Sequence, residues 1–199
     1  MSNRLKFQHR FAIPPILNVG SGENPAEFDN STVHLDLDKW KHPYSVQADA
    51  HSLPFKEDSF RTAVLGDVLE HVVDPLQVLL EAKRVAHRIV LTIFEEWRLG
   101  SPGLHLEAVE RKINEIKKLG FAKYEDYMLS LEPCKGKFVS HISDEVFPHT
   151  AHIWQFTDEH IRSLVEALDM RVIHFEKAYE WHDDEGHPWF NWLICLEKY

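Results

Sequence analysis

The residues best suited to chemistry in this chain are glycines and acids spaced through its first half. Gly20 and Gly22 flank Ser21 directly after the apolar run Ile16-Leu17-Asn18-Val19. Neither glycine carries a Cβ, so the backbone can turn sharply there and lie against a ligand. Exposed N–H groups at such a turn favour an anionic or polar group. Asp36 follows Gly20 by sixteen positions and ends the apolar stretch Thr-Val-His-Leu-Asp-Leu. An acid at the tip of a second strand accepts hydrogen bonds from ribose hydroxyls in nucleotide-binding α/β sheets. Asp38 lies close enough to compete for that role. Asp49, in Gln47-Ala48-Asp49-Ala50-His51-Ser52-Leu53-Pro54-Phe55, has two readings. Its carboxylate can accept from an exocyclic amino group such as that of adenine, or it can close an Asx-type turn.

Histidines supply the candidate bases. An imidazole exchanges its proton near neutral pH. His71 follows Gly66-Asp67-Val68-Leu69-Glu70, and His152 stands in His149-Thr150-Ala151-His152-Ile153-Trp154. His105 is a third candidate. Each has a plain alternative as a loop or helix histidine bonded to backbone. Trp97 and Trp154 suit either a substrate pocket or the core. Two clusters, His141/Asp144/His149/His152 and His182/Asp183/Asp184/Glu185/His187, match no strong zinc spacing and read as solvated loops.

The elements that must position these groups alternate. Residues 16–19, 32–37, 44–47, 60–65 and 88–94 read as strands, most of them apolar enough for a buried parallel sheet. Only a dozen residues separate the first two strands, so the first crossover helix is short or degenerate. Asp74-Pro75 starts a helix, with Asp as N-cap and Pro at its first position. Leu76, Leu79, Leu80, Ala82 and Val85 supply its apolar face. Residues 95–156 are too long for a simple connection; they read as an insertion over the ligand-binding edge of the sheet, with Leu106, Val109, Ile113 and Ile116 at helical spacing. Thr157 caps a late helix buried through Ile161, Leu164, Val165 and Leu168. Residues 171–175 read as a strand, 180–188 as an acidic loop and 189–196 as a final strand buried on both faces. Residues 1–14 carry little pattern and read as an arm laid on the domain.

Bulk properties narrow the field. The 199 residues suit one domain with a full core. A net charge of −10 argues against a general nucleic-acid surface. No stretch approaches the ~18 apolar residues that span a bilayer, and the first ten residues lack the apolar core of a signal peptide. Cys134 and Cys195 form no disulfide framework, so a reduced, cytoplasmic setting is expected.

Four segments in order, Ile-Leu-Asn-Val-Gly-Ser-Gly, His-Leu-Asp-Leu-Asp, Ala-Asp-Ala-His-Ser-Leu-Pro-Phe and Asp-Val-Leu-Glu-His-Val-Val-Asp-Pro, resemble the class I S-adenosylmethionine-dependent methyltransferases, and within them the small-molecule group. The resemblance implies a Rossmann-like, seven-stranded, mostly parallel α/β sheet with an antiparallel last strand and helices on both faces. It implies a small-molecule methyl acceptor and S-adenosylmethionine as cofactor. It places Asn18, Gly20, Ser21 and Gly22 along the methionine part, Asp36 and Leu37 at the ribose, and Asp49 and Ala50 at the adenine. Gly66 and Asp67 fall at the methionine amino group or the sulfonium side. Asn18 stands where the family usually has aspartate, Ser21 where cysteine is common, and the glycine pair before the fifth strand is absent. Two further readings compete: a cofactor-binding regulatory protein without catalysis, and a nicotinamide-dependent dehydrogenase. The latter is disfavoured because the third glycine of its fingerprint falls on Pro25.

Overall fold

The computed structural model describes residues 2–23, 25–26, 28–95, 154, 156–182, 186 and 188–199. The expected insertion at 95–156, with its helix, Trp97, His105 and His152, falls almost wholly outside the described residues, as do residues 183–185 and 187 of the acidic loop.

Seven strands form one sheet in the order β3-β2-β1-β4-β5-β7-β6. They are β1 (Ile16–Val19), β2 (Val33–Asp36), β3 (Ser45–Gln47), β4 (Phe60–Gly66), β5 (Ala86–Phe94), β6 (Arg171–His182) and β7 (Pro188–Glu197). Strands β1 to β5 pair in parallel, and β7 runs antiparallel between β5 and β6. This is the expected architecture. Among the described residues between β1 and β2 there is no helix, as the short connection requires.

Each central strand alternates its side chains between two cores, as the two-residue period of a strand dictates. Leu17, Ala63, Leu65, Ile89, Leu91, Trp192 and Ile194 pack on the face covered by α2 (Pro75–Val85) and α3 (Asp158–Ala167). Ile16, Val64, Val90, Leu193 and Cys195 pack on the other face with Phe7 of α1 (Asn3–Phe11). The N-terminal segment is thus a helix laid on the sheet. Its pattern is hard to read because only Phe7 and Gln8 are buried.

Helix α2 starts where Asp74-Pro75 requires, with the Asp74 side chain accepting the Gln77 N–H at 3.0 Å. Its inward stripe keeps Leu79, Ala82 and Val85 of the expected face, with Leu76 partly buried against the core, and departs from the expectation at Leu80. Pro75, Val78, Leu79, Ala82 and Val85 are buried, while Leu80 is exposed. Positions 75, 78, 79, 82 and 85 are the i, i+3, i+4, i+7, i+10 set of one helical face, and 80 falls off it. Thr157 caps α3 in a reciprocal capping box with His160. Strand β6 continues to His182, well past the expected end at 175, because it stays paired with β7 through Trp181↔Trp189 and His182↔Pro188.

Candidate active site

The carboxyl ends of β1 to β4 surround a cavity of about 600 Å³. It lies where the strand order reverses, since β1 leads outward to β2 and β3 while β4 stands on its other side. Open α/β sheets bind ligands at this switch point, and the volume lies in the range of small-molecule sites, ~300–1,000 Å³. Gly20, Gly22, Asp36, Leu37, Asp49, Ala50, Asp67 and His71 all line it. Four separate elements bring them together.

The glycine turn is built for close approach. Gly20 and Gly22 both sit at positive φ, +65° and +66°. A Cβ on Gly20 would lie 2.6 Å from a methyl of Val68, so only glycine fits between β1 and the segment after β4. The turn differs from the expectation in one respect. Its N–H groups are not open to a ligand anion. Those of Gly20 and Ser21 donate to the Leu35 carbonyl (2.8 and 3.1 Å), and that of Gly22 to Asp36 Oδ2 (2.8 Å). The donors are spent on tying β1 to the tip of β2, so the turn offers a close backbone wall and no anion cradle.

Asp36 therefore faces the glycine turn, as its place at the end of β2 suggests. Its other oxygen, Oδ1, accepts the Asp38 N–H at 3.0 Å. Asp38 lines the cavity beside it. Asp49 lies two residues past β3 and is buried. The Asx-type turn expected as the plain reading is present, since the His51 N–H donates to Asp49 Oδ1 at 3.0 Å. Asp49 also lines the cavity.

His51 is a cavity-lining residue that the sequence reading did not single out. It is buried and lines the cavity. Its Nε2 accepts the Asp74 backbone N–H at 3.0 Å. The ring proton is therefore on Nδ1, where it donates to Asp49 Oδ1 at 2.7 Å. One neutral imidazole so joins the carboxylate beside β3 to the start of α2. The signal in the sequence was a histidine two positions after an Asx-turn aspartate, which is weak by itself. Trp40 and Glu23 also line the cavity and carried no pattern. Among the described residues the buried indole N–H of Trp40 has no hydrogen-bond partner.

Three expected residues stand behind the wall instead of in it. Asn18 is buried in β1 with its amide 3.4 Å from His34 Nδ1. It shares the face of Ile16, one strand position away from the face that Leu17 and Val19 present. Ser21 is flanked by two lining glycines, with its hydroxyl buried and, among the described residues, without a hydrogen-bond partner. Gly66 ends β4, where Gln8 of α1 lies 2.5 Å from the place of an added Cβ. Asp67, at φ +54°, does line the cavity. Its Oδ1 accepts from the Thr92 hydroxyl at 2.8 Å, and its Oδ2 pairs with the Arg4 guanidinium. His71 lines the cavity from the 3-10 turn Leu69–His71. Trp154 is core: it stacks on Phe156 and donates its indole N–H to the Val72 carbonyl at 2.6 Å.

The wall carries five carboxylates, Glu23, Asp36, Asp38, Asp49 and Asp67, and among the described lining residues there is no lysine or arginine. Such a wall selects for cationic ligands that also carry hydrogen-bond donors. A nucleoside bearing a sulfonium and an ammonium meets both requirements.

A family model described as a methyltransferase domain matches residues 19–90. No curated protein matches the sequence. A SAM-dependent methyltransferase from Methanosarcina mazei shares the fold at TM-score 0.57, with 15% identity over 96% of this chain and 95% of its own. The YcgJ protein of Bacillus subtilis does so at 0.53, with 13% identity over 98% and 97%. The Burkholderia thailandensis 1,6-didemethyltoxoflavin-N1-methyltransferase, solved with 1,6-didemethyltoxoflavin and S-adenosylhomocysteine, does so at 0.52, with 14% identity over 92% and 70%. The matched residues run from the end of β1 into β5 and contain every carboxylate of the cavity wall. Over residues 19–90 the chain is thus similar to a methyltransferase domain, and as a whole it shares the fold of solved S-adenosylmethionine-dependent methyltransferases.

Proposed function

We propose that this chain transfers the methyl group of S-adenosylmethionine to a small-molecule acceptor, with Asp36 and Asp49 holding the nucleoside against the Gly20–Gly22 turn. One observation carries the reading: these two acids, from the tips of neighbouring strands, line the same cavity as the turn. When bound, the cofactor supplies an activated methyl group on a sulfonium. The chain's own work is then alignment and exclusion of water, which supplies up to ~7–11 kcal/mol in well-oriented reactions. Leu37 and Ala50 line the wall beside the two acids and provide apolar contact. Asn18, Ser21 and Gly66 support the wall from behind.

His71 is the proposed base for an acceptor that must lose a proton, because it lines the cavity from the turn that follows β4. The part read for His152 falls outside the described residues. A cytoplasmic setting goes with this reading, in keeping with the free, buried Cys195.

The test is direct. S-adenosylhomocysteine should raise the melting temperature, and NAD should not. Turnover of labelled S-adenosylmethionine over a panel of small hydroxyl, amine and thiol acceptors should find at least one substrate. His71→Ala should then lower kcat by about 10²-fold or more and leave S-adenosylhomocysteine affinity within twofold. Unchanged kcat would remove His71 from the chemistry. Binding without turnover over the whole panel would identify a cofactor-binding regulator instead of an enzyme.

A further inference from the structure

His51 and Asp49 meet just past β3, and both are buried. The segment that carries them does not need the His51 ring to stay in place. Gln77 of α2 donates its side-chain amide to the His51 carbonyl at 3.1 Å, and the Leu53 N–H donates to Glu81 Oε2 at 2.8 Å. Arg84 donates to the Phe55 and Leu53 carbonyls at 2.8 and 2.9 Å. The Ser52 N–H closes the turn on the Asp49 carbonyl at 3.1 Å. The turn is thus fixed through its backbone, and the ring is left for another task.

The ring is held at both ends. Its Nε2 accepts the Asp74 N–H at 3.0 Å, so its proton stands on Nδ1 and points at Asp49 Oδ1, 2.7 Å away. Turning the ring would take the acceptor from a buried N–H, which is costly. Oδ1 also accepts the His51 N–H of the Asx turn at 3.0 Å, a bond that the backbone of almost any residue could supply. The imidazole adds a second donor on the same oxygen, and two donors from different directions hold the plane of the carboxylate. An ionised carboxylate only accepts hydrogen bonds. Lining the cavity, it attracts an exocyclic amino group and repels a carbonyl oxygen at the same place.

We propose that His51 is a positioning residue, which sets the Asp49 carboxylate so that the cavity takes a 6-aminopurine and refuses a 6-oxopurine. The proposal rests on the S-adenosylmethionine reading and extends it, since it makes the choice of nucleobase depend on a ring anchored to the start of α2. His51 acts through Asp49. The Asx turn alone keeps the carboxylate at the wall, and the ring holds its direction.

The experiment uses two probes that differ at one position of the base: S-adenosylhomocysteine, with an amino group there, and S-inosylhomocysteine, with a carbonyl. Dissociation constants are measured by calorimetry for the wild type, His51→Asn and His51→Gln. The wild type should prefer S-adenosylhomocysteine by on the order of tenfold or more, the worth of a hydrogen bond to a charged group. An asparagine amide N–H can take the place of the imidazole Nδ1–H, and a glutamine amide oxygen the place of Nε2. His51→Asn should therefore keep the preference within about threefold and lower the melting temperature, because the Asp74 N–H loses its acceptor. His51→Gln should keep more of the melting temperature and lose the preference to about threefold or less. The preference is a ratio within each variant, so a general loss of folding cannot mimic the result. If both variants lose it alike, or neither does, the ring is structural and the proposal fails. A wild type that binds both probes equally also overturns it, since Asp49 then does not read the amino group. If the wild type binds neither probe, it is the S-adenosylmethionine reading itself that fails.

Discussion

At the scale of single residues the glycine turn gives the sharpest contrast. Gly20 and Gly22 share a backbone conformation, but their surroundings differ. A methyl at Gly20 meets Val68 at 2.6 Å, while a methyl at Gly22 meets nothing within 4 Å. Gly22→Ala should therefore cost only the left-handed strain, ~1–2 kcal/mol. Gly20→Ala should cost that plus overpacking, a further ~1–3 kcal/mol. Urea midpoints of the two variants measure the difference, and equal midpoints would mean that Val68 moves aside freely. His51 shows how a residue can pass unnoticed in a sequence. A histidine without a metal-like or triad-like spacing has no signature. Here its place is set by a local bond to Asp49 and a long-range one from the backbone N–H of Asp74, which exists only once the segment after β3 meets the start of α2.

At the scale of elements the start of α2 does two jobs. The Asp74 side chain caps the helix, and its backbone N–H holds the His51 ring. Asp74→Ala removes the first job and keeps the second. It should cost ~1 kcal/mol of stability, with Asp74→Ser restoring most of it. S-adenosylhomocysteine affinity should change little, because the ring keeps its backbone donor. A large loss of affinity in Asp74→Ala would mean that the cap also sets the ring. This cap was legible in the sequence because Asp-Pro acts locally. So were β1, β4, β5 and β7, whose apolar runs are long relative to their neighbours, and so were the positions of Asp36 and Asp49 at strand tips. Helix α1 was not, since its polar surface hides a buried face of Phe7 and Gln8. Nor was the length of β6, which is set by pairing with β7 and not by its own mixed composition. The open N–H groups expected at the glycine turn were also misplaced. Their real acceptors, the Leu35 carbonyl and Asp36, come from the next strand.

At the scale of the whole molecule the sheet has a ligand edge and an opposite edge, and the two should be separable by experiment. At the opposite edge, Glu197 at the end of β7 receives hydrogen bonds from Arg88 Nε at 2.8 Å and from Arg171 at 2.8 Å. The hydrogen bond from Arg88 is the main cause holding its carboxyl below the ordinary value of 4.5, against the desolvation that pushes the other way. A carboxyl lowered on folding contributes stability that is fully present above its unfolded value. That contribution is lost as pH falls through the folded value. Between about pH 5 and pH 3 the wild type should thus lose more melting temperature than Glu197→Gln, which has no such proton to bind. Parallel curves would mean that the bonds are worth no more folded than unfolded. Affinity for S-adenosylhomocysteine at neutral pH should be the same in both, since Glu197 lies at the far end of the strands from the cavity. The antiparallel course of β7 has a practical corollary. It returns the last residues to the start of β5, where the Lys198 N–H donates to the His87 carbonyl, while Ser2 and Asn3 lie beside the arginine that reaches the cavity wall. An affinity tag or fluorophore joined after Tyr199 therefore leaves the ligand edge untouched, whereas one joined ahead of Ser2 loads the helix whose Arg4 pairs with Asp67 of the cavity wall.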